Sequence, residues 1–279
     1  MGSNLGEDGS GHTVTSTVSP GTVSNVKPAQ QWRKPRAILT ALEPTRAWVE
    51  FGAYLSTWPA LRLAAPGDGH PVIVLPGFFA GDPSTRTLRN YLRSRGYAVS
   101  GWSLGRNRGP TRAALDGMDR LVSSTVEQHN QPVSIIGWSL GGIFARQIAA
   151  RRPEDVRQVI TLGSPYRLNP GDRTRASQLY DRFAHLHVTS AYFPGPAGGW
   201  RPLPMPATSI YTRSDGIVAW QTCTEPESAL SENIEVFGSH CGLGHHPAAV
   251  YAVADRLAQP VGGWSPFHPP KLLRHLYPA

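Results

Sequence analysis

A serine between two glycines, an aspartate some 75 residues on and a histidine 25 beyond that are the residues of this chain best placed to do chemistry. Val133-Ser-Ile-Ile-Gly-Trp-Ser-Leu-Gly-Gly142 is an apolar run entering G-x-S-x-G, followed at once by the helical pattern Ile143-Phe-Ala-Arg-Gln-Ile-Ala. A sharp strand-to-helix turn of this kind exposes its serine as a nucleophile. A hydroxyl is a weak nucleophile near neutrality, so acyl transfer needs a base within hydrogen-bond reach and a third group to orient that base and stabilise its cation. Ser139, His240 and Asp215 fit those roles. The tetrahedral intermediate also needs donors for its oxyanion. Leu140, directly after the nucleophile, supplies one amide. The Phe78 amide in Leu75-Pro-Gly-Phe-Phe-Ala-Gly81 supplies the other, with Gly77 allowing close backbone approach.

The elements around these residues alternate. Pro71-Val-Ile-Val-Leu75 reads as a strand covered on both faces. Residues 84–95 read as helix, Tyr97 to Trp102 as strand, 111–129 as helix, 132–137 as strand, 140–151 as helix and 156–162 as strand. After an irregular stretch, strands near 208–212 and 233–237 and a helix near 247–258 follow. Such alternation predicts right-handed crossovers and a mostly parallel central sheet flanked by helices. Residues 165–206, with a polar helix near 173–186 and the run Pro194-Gly-Pro-Ala-Gly-Gly-Trp-Arg-Pro-Leu-Pro204, are too long for a plain connection and read as a short cap or lid insertion over the site. A helix over 44–57, with Pro44 in its first turn, carries Ala47, Trp48, Phe51, Tyr54 and Leu55 at three- and four-residue spacing. That stripe is expected to pack on the core, with an interfacial, lipid-contacting helix as the alternative.

Over roughly residues 70–260 the chain resembles the α/β-hydrolase superfamily, and within it the small bacterial lipases and esterases. The resemblance rests on the elbow, on Ser214-Asp-Gly-Ile-Val218, on Asn233-Ile-Glu-Val-Phe-Gly-Ser-His-Cys-Gly-Leu243 and on the chain order Ser, Asp, His. It implies that His240 is the base and Asp215 the acid of a serine carboxylic-ester hydrolase, that no metal or organic cofactor takes part, and that lipid-like esters are the substrates. Pro76 stands where a histidine is commoner in this fold, which leaves open what holds the oxyanion loop. His245 and His246 stay open as rival bases, and Asp172 and Asp181 as rival acids. Acyl transfer, thioester or amide hydrolysis, and a noncatalytic ligand-binding or lipid-surface role also stay open. Phe79, Trp138 and Tyr166, with Phe78, Tyr192, Phe193 and Trp200, are candidates for an apolar acyl pocket. Arg106 and Arg108 lie on a loop expected at the same sheet edge.

The composition narrows the classes. With 279 residues and 40% hydrophobic content, one hydrolase domain over 37–279 is expected after a tail, 1–36, rich in Gly, Ser, Thr and Val and read as disordered. The net charge of +8 is spread rather than clustered, so nucleic-acid binding is not expected, while contact with anionic lipid is compatible. No signal peptide and no run of about 18 apolar residues is apparent. A cytoplasmic enzyme, with peripheral membrane contact as an added possibility, is the expectation. Cys223 and Cys241 exclude a disulfide scaffold but leave one bridge open.

Overall fold

Among the described residues the backbone forms six strands and six α-helices: β1 Pro71–Leu75, β2 Ala98–Gly101, β3 Val133–Trp138, β4 Val156–Leu162, β5 Ala207–Tyr211 and β6 Ser231–Glu235, with α1 Ala37–Leu61, α2 Asp82–Ser94, α3 Arg112–His129, α4 Leu140–Arg151, α5 Ser177–Arg182 and α6 Pro247–Leu257. This computed structural model describes Trp32 and residues 34–168, 171–188 and 201–278. Most of the tail read over 1–36, part of the cap, and Tyr192, Phe193 and Trp200 lie outside the described residues.

The strands form one sheet in the order β2-β1-β3-β4-β5-β6 with every neighbouring pair parallel. The period-two alternation of the strands sorts their side chains into two cores. Val72, Val74, Ile136, Ile160 and Ile210 meet α1, α2 and α6 on one face, whereas Ile73, Leu75, Ile135 and Val159 meet α3 and α4 on the other. Both faces are thus covered, which is why β1 reads as a continuous apolar run and why even Thr208 and Ser209 of β5 are buried.

Register sets the site. Leu75 pairs with Gly137, and Trp138 with Leu162, so the loops after β1, β3 and β4 leave the sheet side by side at its carboxyl edge. In open parallel sheets that edge is where ligands bind.

One helix departs from expectation. α1 begins at Ala37, seven residues before Pro44, so Pro44 sits inside the helix rather than in its first turn. Interior proline removes a helical hydrogen bond and clashes with the preceding turn. Here tertiary bonds hold the turns on either side: Thr40 Oγ1 donates to the Gly216 carbonyl (2.6 Å) and Arg46 Nη1 to the Ser214 carbonyl (2.8 Å). The insertion contains less helix than the sequence suggests. α5 covers only 177–182 of the expected 173–186, followed by a single tight turn at 184–186. No helix among the described residues is long and apolar enough to cross a membrane.

Candidate active site

Ser139 sits between β3 and α4 with φ 53° and ψ −120°, a conformation that L residues rarely adopt. The flanking glycines let the turn close. A Cβ on Gly137 would lie 2.3 Å from the Gly142 Cα, and one on Gly141 would lie 2.5 Å from the Leu75 carbonyl oxygen. The Ser139 amide donates to the Leu162 carbonyl (2.8 Å), fastening the elbow to the end of β4.

Asp215 follows β5 and His240 follows β6, and both are nearly buried. The His240 Nδ1 and Asp215 Oδ2 are 2.6 Å apart, while Asp215 Oδ1 accepts the amides of Ile217 (2.8 Å) and Val218 (2.7 Å). The carboxylate is therefore held from both ends, with one oxygen fixed by its own loop and the other aimed at the imidazole. A Cβ on Gly163 would stand 3.1 Å from the His240 Nδ1, so the ring lies against the residue that follows Leu162, Ser139's backbone partner. Among the described residues the Ser139 hydroxyl makes no hydrogen bond; without substrate, nucleophile-to-base contacts of this type are often long and tighten on binding. Burial disfavours a charged His240, but the Asp215 carboxylate, through its charge and hydrogen bond, and the charge of Glu43 outweigh it and raise the imidazole above its usual value.

The rival residues are engaged elsewhere. His245 Nε2 lies 2.9 Å from the Ala47 carbonyl with its ring edge-on to Phe51. Burial, with His245 beside it, pushes His246 down to about 4. Asp181 pairs with Arg173, and Asp172 accepts the Trp32 amide. A second Ser-His-Asp string, Ser134–His70–Asp68, has its own contact of 2.8 Å between Ser134 Oγ and His70 Nε2. It stands at the amino-terminal edge of β1 and β3 with Ser134 fully buried, so it joins strands where substrate has no access.

The oxyanion loop stands beside the elbow: a Cβ on Gly77 would lie 3.3 Å from the Ser139 Cβ. Phe79 N donates to the Asn107 carbonyl (2.6 Å) and Ala80 N to the Gly77 carbonyl (3.2 Å), whereas the Phe78 amide has no protein acceptor among the described residues. Leu140 opens α4, so its amide has no helical acceptor a turn earlier. The support that Pro76 cannot give comes from Asn107, fully buried between Arg106 and Arg108. Its Nδ2 donates to the Pro76 carbonyl (2.9 Å), its amide to the Ala80 carbonyl (2.7 Å), and its Oδ1 accepts the Gly109 amide (3.1 Å). Arg106 lies over the Phe79 ring, 4.6 Å from its centroid.

A cavity of about 300 Å³ opens over Ser139, with Phe78, Leu140, Ile143, Ile217 and Val218 forming an apolar wall. Tyr180, whose ring lies 5.2 Å from that of Phe78, Asp181 and the loop before α5 add a more polar part of the lining. Phe78 lines this cavity, but Phe79, Trp138 and Tyr166 do not. Phe79 packs on Phe183 (5.4 Å between centroids). Trp138 donates its indole N–H to the His240 carbonyl (3.0 Å), which makes it a brace for the base loop. Tyr166 is buried beneath the Arg146 guanidinium, 4.3 Å away, where Arg146 also pairs with Glu225.

Sequence reasoning missed the carboxylates of α1. Glu43, almost fully buried, accepts the amides of Gly216 (2.8 Å) and His240 (3.1 Å) on Oε1 and of Cys241 (2.8 Å) on Oε2. Glu50 accepts the Ser239 amide (2.7 Å) and hydroxyl (2.8 Å). Arg46 reaches Ser214 on one loop and the Gly238 carbonyl on the other. One helix thus ties the acid loop to the base loop. Their only trace in the sequence is three charges at positions 43, 46 and 50 of an otherwise uncharged helix. Cys223 and Cys241 are unbridged. Burial and the nearby Glu43 push the Cys241 thiol up to about 12, far from a reactive thiolate. No group of three or more His, Cys, Asp and Glu side chains among the described residues is arranged to hold a metal ion.

The family model for palmitoyl protein thioesterase matches residues 71–193, a little under half of the chain, spanning the oxyanion loop and elbow but ending before Asp215 and His240. No curated protein matches the sequence. Among solved structures, lipase B of Aspergillus fumigatus is similar at 17% identity and a TM-score of 0.55, over 72% of this chain and 57% of that one. The pyrethroid hydrolase PytH is similar at 16% identity and a TM-score of 0.50, over 67% of this chain and 96% of that one. At such identities the likeness is one of fold.

Proposed function

We propose that this chain, whose fold is similar to that of a lipase of 17% identity, is a member of the α/β-hydrolase superfamily and a serine hydrolase of carboxylic esters with apolar acyl groups, working through an acyl-enzyme. Ser139 attacks the acyl carbonyl. His240 takes the hydroxyl proton on Nε2 and returns it to the leaving alcohol, while Asp215 keeps the Nδ1 proton in place and stabilises the cation. The Phe78 and Leu140 amides receive the oxyanion, each donor contributing about 3 kcal/mol to the barrier reduction. Water, activated by the same imidazole, then releases the acid. The observation that carries this reading is the strained Ser139 at the sheet edge where the Asp215–His240 pair also ends.

The apolar wall of Phe78, Ile143, Ile217 and Val218 supports an apolar acyl group. The thioesterase model match favours a second reading, acyl thioesters, on the same residues. A chain-length series of p-nitrophenyl esters set against the matching acyl thioesters separates the two. Higher kcat/KM on the esters, rising with acyl length, supports the first reading; a preference for thioesters at every length moves the assignment to the second; no turnover of either overturns both.

The raised His240 gives a pH signature. Only the neutral imidazole accepts a proton, so kcat/KM is expected to fall as pH drops through a value above the usual 6.5. Asp215→Asn removes the main influence that raises it, and is expected to shift that limb to lower pH while kcat falls by about 10⁴. An unmoved limb in this variant would contradict the Asp215–His240 coupling.

A further inference from the structure

The charges of α1 point inward beside Tyr54 and Leu61, while a second set of apolar side chains points out. Glu43 and Glu50 are buried and Arg46 is half-buried against the loops it ties. The outward face presents Ile38, Leu42, Trp48, Val49 and Leu55, with Leu63 just past the end, and Trp48 and Val49 are 74% and 68% exposed. Between Arg36 and Arg62 no charged side chain of the helix is exposed. A surface helix of a soluble domain has the opposite pattern, and one apolar all round is ordinarily covered. Over 25 residues this face runs roughly 37 Å.

We propose that this face docks on an anionic lipid surface, with α1 lying in the plane of the interface. The choice of occupant rests on charge. Lys34 and Arg36 stand exposed at one end of the face and Arg62 at the other, on a chain of net charge +8. A second copy paired through the same face, parallel or antiparallel, sets cations against cations at both ends. Anionic headgroups complement them while the acyl region receives Trp48, Val49 and Leu55. The inward charges, each held by a loop of the domain, keep the helix on the protein rather than inserted across the bilayer. The proposal is independent of what the Ser139 site cleaves.

The test is sedimentation of the full chain with phosphatidylserine–phosphatidylcholine vesicles and with phosphatidylcholine vesicles, at low and high ionic strength. Co-sedimentation with the anionic vesicles, weakened by salt, is expected. Trp48→Glu/Val49→Glu is expected to lower the partition coefficient at least about tenfold, roughly 1.4 kcal/mol. Arg36→Glu/Arg62→Glu, which leaves the apolar face intact, is expected to abolish the preference for phosphatidylserine and guards against a misfolded first variant. Equal sedimentation of all three proteins overturns the proposal. So does failure of the parent chain to bind vesicles, and so does a dimer in light scattering that Trp48→Glu/Val49→Glu dissociates while vesicle binding stays absent.

Discussion

Ser139→Ala is expected to lower kcat on the best ester of the series by on the order of 10⁵ to 10⁶, with KM little changed and the circular dichroism spectrum intact. The size of the effect follows from what alanine removes. The attacking oxygen disappears, and the remaining rate comes only from substrate positioning and the two oxyanion amides, neither of which requires the hydroxyl. The backbone has no reason to rearrange, since the elbow is held by the Ser139 amide on the Leu162 carbonyl and by the tight contacts of Gly137 and Gly141, and alanine keeps all of them. Stopped-assay kinetics at high enzyme concentration reads the residual rate. A variant that keeps a tenth or more of the activity places the nucleophile elsewhere.

Glu43→Ala is expected to cost both stability and turnover, at a residue that need not touch substrate. Its carboxylate satisfies three backbone amides, of Gly216, His240 and Cys241, in a nearly water-free position. Each buried donor left without an acceptor costs about 1 to 3 kcal/mol. With partial relaxation the variant should lose roughly 3 to 5 kcal/mol of stability, read as a lower denaturant midpoint. Because those amides belong to the loops of Asp215 and His240, kcat should fall by about 10² or more, as displaced catalytic groups lose their alignment. Glu43→Gln separates structure from electrostatics. It keeps an acceptor for Gly216 and His240, and so most of the stability, but removes a charge that helps to raise His240. Its acidic pH limb should therefore move down even where kcat recovers. An unchanged limb in a well-folded Glu43→Gln protein would reduce Glu43 to a purely structural role.

Glu43 also shows where the sequence stops being readable. The elbow announces itself because its requirements are local: an apolar strand, two glycines that nothing larger can replace, and a helix at once. β1 is equally legible, since burial on both faces leaves an unbroken apolar run, and β3 and β4 keep the apolar pairs Ile135-Ile136 and Val159-Ile160 at their centres. Asp215 and His240 follow from chain order and from the resemblance of their segments. The clamp does not, because Glu43 lies 173 and 197 residues from two of its partners and its face of α1 is one that periodicity assigns to the core. Pro44 added a false start signal, overridden by tertiary bonds from Thr40 and Arg46.

Asn107 was hidden differently. Arg106 and Arg108 are the conspicuous charges of that loop, whereas the buried amide between them holds the oxyanion loop that Pro76 cannot. Trp138 and Tyr166 show the limit of reading aromatic residues near a nucleophile as pocket lining. Each has a polar atom or ring face engaged by the scaffold, Trp138 by the His240 carbonyl and Tyr166 by Arg146, and a place just before the nucleophile or after β4 does not reveal those partners.

The central claim, that Ser139 is a nucleophile activated by His240, meets its most direct test in peptide mass spectrometry after exposure to a fluorophosphonate. One adduct is expected, on the peptide bearing Ser139, formed rapidly in the parent protein and slowed by on the order of 10³-fold or more in His240→Ala. A rapid adduct on another residue, labelling of Ser139 at the same rate without His240, or no labelling of the folded protein would contradict it.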